Sequence, residues 1–359
     1  SSAASDVYKR QQYPLTVTDL DGRQITLQHE PQRIILQDGR DLMSLALLDR
    51  DNPFQRVVAW NNLAKKQDVA TWKMLQQKWP QSAAILDMGF SDKGNVDLES
   101  VLSRQPDLMI AQLRAKPALT ESGVIGKLTA LKIPVLFVDY EVNPSRDTAP
   151  SIDLLGQVLN RESNAKAYTD FYRRHLHAIE QQTATITPKA TVFVEALAGN
   201  SDACCFTHGH SGWGGLVEAV GATNVGSQLL PGASGFVSLE KIISMKPDAY
   251  IMTGSKRGNS QVLPLGYQVS QQEVNAQGEA LLARTGVSDI PAVKAKRAYG
   301  VYHHFYNHPW NIVGMEYLAK DIYPRAFTTL NPDETYHDIV RRFTSLPDLP
   351  FVFSWKQGE

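Results

Sequence analysis

At 359 residues, with 43% hydrophobic and 20% charged side chains, the chain exceeds what one hydrophobic core usually supports and predicts a globular protein of two lobes. Lys plus Arg number 36 against 37 for Asp plus Glu, a net charge of -1, which gives no drive toward a phosphate backbone and excludes nucleic acid as the main partner. No apolar run approaches the ~18 residues that span a bilayer.

The opening Ser-Ser-Ala-Ala-Ser-Asp lacks the basic and apolar regions of a signal peptide and reads as a mature or trimmed N-terminus. Short β-rich runs at 33–36, 56–60, 135–138, 191–194 and 299–302 have the look of strands covered on both faces. Residues 96–110, VDLESVLSRQPDLMI, combine a helix start at Asp97, apolar positions at helical spacing, a stop at Pro106 and a buried strand. Helical periodicity without proline or glycine after Gly156 then predicts one long helix over roughly 151–182. The only cysteines, Cys204 and Cys205, are adjacent, so a strained vicinal disulfide is the sole bridge one chain can make. The glycines at 209, 212, 214 and 215 fit no phosphate-binding fingerprint and shape a turn into a helix over 216–220. Residues 237–251, VSLEKIISMKPDAYI, repeat the 96–110 pattern at a constant offset of 141, with Ser238 in place of Asp97.

Seven aligned positions of the two copies are identical, among them Leu98/Leu239, Glu99/Glu240, Pro106/Pro247 and Asp107/Asp248. A period this long marks a duplicated domain. Strands alternating with helices make the fold class α/β: two lobes, each a parallel sheet flanked by helices, joined by one long helix, with a ligand cleft between them. The expected boundaries are a first lobe over 1–148, a linker helix over 149–186, and a second lobe over 187–359 that includes a C-terminal helix.

The segment VTDLDGRQITLQHEPQRIILQ carries an Asp-x-x-Gly hairpin, Asp19 and Gly22, then a Pro-x-Arg-Ile lead into the first sheet strand. With the two Leu-Glu…Pro-Asp copies, the linker and the tail TYHDIVRRFTSL, it resembles the class III periplasmic solute-binding proteins of importers for ferric siderophores, haem and cobalamin. The resemblance covers nearly the whole chain. It implies a periplasmic location, no intrinsic cofactor, a monomer, and delivery of cargo to an ABC permease in the inner membrane. It also implies that Glu99 and Glu240, one per lobe, dock on the permease. A first-turn glutamate also suits the helix dipole whether or not it docks.

Ligands of open α/β sheets bind beyond the carboxyl ends of the strands. That rule selects 37–40, 60–61, 112–114 and 139–140 in the first lobe, and 195, 204–213, 253–257 and 303–308 in the second. Arg40, Arg114, Lys256 and Arg257 suit an anionic chelate, and Trp60, Tyr140, Trp213 and Tyr306 suit its aromatic rings. The expected ligand is therefore an Fe(III)-siderophore, catecholate-like, with haem or cobalamin as the alternative. The run YHHFYNHPW offers imidazoles that could complete an iron shell, and His304 is the candidate ligand. Adjacent His303 and His304 should face opposite ways, so that only one enters the cleft. A bare divalent-metal receptor and a metal-dependent enzyme built on the histidines are the competing readings. The sequence holds no G-x-S-x-G elbow, no H-E-x-x-H helix and no phosphate loop.

Overall fold

The structure is a computed structural model that describes residues 12–88, 96–258 and 261–359. The opening residues 1–11 lie outside that set. The chain begins with an antiparallel hairpin, β1 (Leu15–Thr18) and β2 (Gln24–Leu27), with Thr16 facing Thr26. Its turn is set by Asp19, whose Oδ1 accepts from the amides of Asp21 and Arg23, both at 3.0 Å, and by Gly22 at a left-handed φ of 77°. The other Asp19 oxygen accepts from the Phe137 amide at 3.1 Å and pins the hairpin to the first sheet.

That sheet contains β3 (Ile34–Leu36), β4 (Val57–Trp60), β5 (Leu86–Asp87), β6 (Leu108–Gln112) and β7 (Val135–Val138) in the order β5-β4-β3-β6-β7, all parallel. Every residue of β3, β6 and β7 is buried, as expected of strands covered on both faces. The second half supplies β8 (Thr191–Glu195), β9 (Phe206–His208), β10 (Thr223–Asn224), β11 (Ser234–Phe236) and β12 (Ala249–Gly254). After them come β13 (Gly266–Tyr267), β14 (Ala298–Tyr302), β15 (Phe351–Val352) and β16 (Ser354–Lys356). The second sheet has the order β10-β8-β12-β14-β16, parallel except for β16, which adds an antiparallel edge. β9 pairs with β11 and β13 with β15 in two small antiparallel ribbons.

The duplicated segments occupy equivalent places. Each is a short helix, Leu98–Leu102 or Leu239–Met245, whose N-cap, Asp97 or Ser238, accepts from the amide three residues on at 3.3 Å. The strand that follows, β6 or β12, lies inside its sheet. The shared Pro-Asp has a structural use in both copies. The Asp107 amide donates to the Arg33 carbonyl at 2.9 Å while its carboxylate accepts from the Arg33 amide at 3.0 Å. Asp248 repeats this with Thr191, at 2.7 and 2.8 Å. Each aspartate thus stitches the start of its strand to the start of its neighbour.

The expected single linker helix is two. Helices Pro144–Val158 and Glu162–Thr183 pack as a hairpin around the turn at 159–161. Asn160 takes a left-handed φ of 58°, the Arg161 amide reaches the Gly156 carbonyl at 2.7 Å, and the Asn160 amide reaches Gln157. These are the paired bonds of a Schellman stop, for which asparagine substitutes for glycine. Gly156 also lets the helices close up, since a Cβ there would stand 2.5 Å from that of Ala165. Buried Arg56 donates to the Leu159 carbonyl at 2.9 Å and fastens the turn to the first lobe.

The 22-residue second helix touches both lobes. Asn164 donates to the Leu48 carbonyl of the first lobe at 2.9 Å, and Tyr172 donates to Asn311 of the second at 2.6 Å. The last helix, Pro332–Phe343, lies against it through Phe343, Tyr168 and Phe171, and the chain then ends in β15 and β16.

Candidate functional site

Strand ends and the loops after them meet in a cleft of about 310 Å³. From the first lobe Arg40, Leu63, Gln67, Arg114 and Glu141 line it; from the second come Leu197, Phe206, His208, Ser211 and Gly212, with Ala233, Ser234, Arg257, His303 and Tyr306.

The basic wall is organised by buried Asp38 at the end of β3. Arg40 donates to it through Nε at 3.0 Å and Nη2 at 2.7 Å, and Arg114 through Nη2 at 2.8 Å. Burial alone would raise the Asp38 carboxyl, but the guanidinium of Arg40, then that of Arg114, holds it well below the usual carboxylate range. Arg40 spans the cleft as well: Nη1 donates to the Tyr306 hydroxyl at 2.7 Å, and its guanidinium lies 5.3 Å from the Tyr306 ring centre. Arg114 has Glu141 at 3.4 Å on its other side. Burial raises the Glu141 carboxyl, with Arg114 opposing. Glu141 is held in place because Asp139 accepts from the amides of 141, 142 and 143, at 3.0, 2.8 and 2.9 Å, across the turn into the linker hairpin.

The imidazole wall belongs to the second lobe. His208 Nδ1 accepts from the Trp213 amide at 3.0 Å, and His303 Nδ1 pairs with Thr253 Oγ1 at 2.8 Å. With Nδ1 engaged in both rings, Nε2 is the atom each can offer to the cleft. Burial pushes His208 down to about 4 and His303 well below its ordinary value, so both are neutral at neutral pH. Burial also lowers the Arg257 guanidinium, which stands across from Arg40.

Four of the nine side chains selected from the sequence as ligand contacts, Arg40, Arg114, Arg257 and Tyr306, come together in this cleft. Five do not line it. Trp60 is core, 5.4 Å from the Phe54 ring and 5.6 Å from Trp72. Tyr140 is buried against the Ser44 hydroxyl at 2.6 Å, and Trp213 is buried with its indole N–H on the His303 carbonyl at 3.1 Å. Lys256 pairs with Glu273 at 3.8 Å outside the lining. His304 faces a separate cavity of about 40 Å³ shared with Trp60 and His308.

One of the adjacent histidines does enter the cleft, and it is His303. The 3₁₀ turn His303–Asn307 that follows β14 rotates His304 away, with its Nε2 at 3.4 Å from the Gln67 carbonyl. His304, the candidate iron ligand, therefore faces the small cavity behind Arg40 and does not line the cleft. Glu141 lies one residue past the window drawn from the sequence. Leu63 and Gln67 arrive on the short helix Leu63–Gln67 after β4, Leu197 and Ala233 on connections, and Ser234 at the start of β11, all outside the reach of the strand-end rule.

Cys204 and Cys205 are joined as a vicinal disulfide. Their sulfurs and a Glu195 oxygen form the one group of three close ligand-type atoms among the described residues. The sulfurs are bonded to each other, and Glu195 accepts from Arg284 at 2.7 and 2.9 Å and from Tyr250, so the group is poorly suited to a cation. Glu99 and Glu240 are exposed in the first turns of their helices. Among the described residues no helix is long and apolar enough to cross a membrane.

The model of the periplasmic binding protein family matches residues 54–302, more than half of the chain. The chain belongs to the periplasmic binding protein family. An uncharacterized ABC transporter substrate-binding lipoprotein of Bacillus subtilis, YvrC, is 24% identical over 327 residues, 89% of this chain and 88% of that one. The TroA-like periplasmic binding protein FepB from Veillonella parvula has the same fold, with a TM-score of 0.86 at 22% identity, over 96% of this chain and 100% of that one. MolA of Haemophilus influenzae, solved bound to molybdate, follows at a TM-score of 0.69 and 17% identity, over 92% and 97%. This chain is thus a substrate-binding protein of the periplasmic type, which works outside the cytoplasm, and is not an enzyme.

Proposed function

We propose that the protein is a monomeric periplasmic receptor for a ferric siderophore of anionic, catecholate-like character. The observation that carries this reading is the convergence of Arg40, Arg114 and Arg257 on one cleft whose lining holds a single carboxylate, Glu141, with Asp38 buried behind Arg40 and Arg114. The excess positive charge favours an anion, and planar guanidiniums suit the fixed oxygen pairs of a catecholate. Tyr306 and Phe206 supply faces for its rings. The neutral imidazoles of His208 and His303 can meet an iron left open by its chelator, a role this reading moves from His304 to His303.

Delivery follows from the duplicated helices. Glu99 and Glu240 project from capped, rigid helix starts, one on each lobe, and in this reading they dock on basic residues of the permease.

Titration of the protein with ferric catecholates, ferric hydroxamates, haem, cobalamin, molybdate and free Zn²⁺ or Mn²⁺, followed by tryptophan fluorescence, tests the cargo. Ferric catecholate is expected to bind tightest; a response to free divalent metal or molybdate alone would overturn the assignment. The variant Glu99→Ala/Glu240→Ala is expected to keep ligand affinity and lose uptake in a reconstituted transporter. Normal uptake would remove the docking role.

A further inference from the structure

Beside the cleft lies a second cavity of about 200 Å³, and Leu197 and Phe206 line both. Its far side is Phe236, which is 57% exposed and is, with Leu131, one of two large apolar side chains left so open among the described residues. Phe206 and Phe236 face each other across the β9–β11 ribbon with ring centres 5.4 Å apart. The ribbon is well anchored. The Cys205 amide donates to Val237 and the Val237 amide to Cys205, at 2.8 and 2.9 Å, and the disulfide sits just before β9. An exposed aromatic pair on a fixed ribbon is a preformed surface whose apolar area is left for something else to cover.

The charge of this compartment differs from that of the cleft. Its one acidic lining group, Glu195, is consumed by the bidentate Arg284 pair and by Tyr250. The rest of the lining is small or neutral, including Ala196, Gly199 and Ala203. A ligand lying across Phe206 would meet three arginines on one side and uncharged, partly aromatic walls on the other.

We propose that this second compartment is a subsite for an uncharged aromatic or aliphatic arm of the captured chelate. The inference rests on the reading of the cleft as an anionic-chelate site and adds that the cargo has two parts. The anionic head sits among the arginines, and an apolar arm passes over Phe206 and packs on Phe236. The adjacency of the two cavities, which share Leu197 and Phe206, favours this occupant over a macromolecular partner.

The test compares two ferric catecholate probes with the same head, one bare and one carrying a benzyl arm. Wild-type protein is expected to bind the armed probe about tenfold tighter, the gain from burying a small apolar group. Phe236→Ala, a change at an exposed side chain, is expected to erase that difference. Equal affinity of both probes for the wild type would overturn the subsite, as would a Phe236→Ala variant that keeps the full difference but loses uptake, which would give the aromatic pair to the permease. Should neither probe bind, the anionic-chelate reading fails, and 2-naphthol followed by saturation-transfer NMR judges the compartment alone. A naphthol signal that is strong in the wild type and absent in Phe236→Ala supports an apolar subsite; equal saturation transfer in both proteins overturns it.

Discussion

Asp38 is the residue on which the basic wall turns. It carries negative charge into a site read here as an anion receptor, which at first sight opposes binding. Its two oxygens, however, fix the guanidiniums of Arg40 and Arg114 at 2.7 to 3.0 Å, so that neither must be ordered when the ligand arrives. The two explanations predict opposite signs. If net charge dominated, Asp38→Asn would tighten binding of an anionic chelate. If preorganisation dominates, as the geometry supports, the same change weakens binding by about tenfold or more and also lowers stability by about 3–5 kcal/mol, because a buried charge network loses its partner. Calorimetric titration with a ferric catecholate, alongside urea unfolding, reads both effects. Tighter binding by the asparagine variant would show that charge alone governs the cleft.

At the scale of elements, the duplicated helix–strand units make a paired prediction. The Asp107 and Asp248 carboxylates each accept from an amide at the start of a neighbouring strand, that of Arg33 just before β3 and that of Thr191 in β8, so Asp107→Ala and Asp248→Ala should each cost about 1–3 kcal/mol. Denaturant midpoints should shift by similar amounts, and a loss in only one variant would mean that the two copies no longer do the same work. The repeat was legible in the sequence because identical chemistry is needed at identical places. The all-buried strands were legible because parallel sheets covered on both faces read as unbroken apolar runs. The break at Asn160 was not, since the left-handed stop uses asparagine where glycine would have signalled it. The cleft was legible only in part. Arginines at strand ends have nowhere else to point, whereas Trp60, Tyr140 and Trp213 sit at the same strand ends and turn inward to the core. Sequence position fixes which residues reach the end of a sheet, and only packing decides which way a large side chain goes. Ala233 and Ser234 carry no chemical signal at all and enter the cleft because β11 pairs with β9.

The molecule as a whole is closed by uncharged imidazoles, and that has a consequence for its response to acid. His208, His303, His304 and His308 are all buried in the second lobe where it faces the first, and burial lowers all four, to about 4 for His208 and about 3 for His304 and His308. In the unfolded chain they take up protons near pH 6.5 while the folded protein does not, so stability falls as pH drops below that value. Asp68 opposes them. It reaches from the first lobe to the Tyr302 hydroxyl of the second, and burial raises its carboxyl to about 6, so the folded state gains stability as pH falls through 6 toward the ordinary aspartate range. Between pH 7.5 and 5.5 each histidine costs about 1.4 kcal/mol and Asp68 returns about 1 kcal/mol, and the raised carboxyls of Asp41, Glu141, Asp147 and Asp321 act on the same side as Asp68. Urea unfolding at the two pH values compares wild type with Asp68→Asn, whose stability should change on acidification less favourably by about the 1 kcal/mol that the carboxyl returns. An unchanged pH dependence in Asp68→Asn would mean that this carboxyl titrates in the folded protein as it does in the unfolded chain.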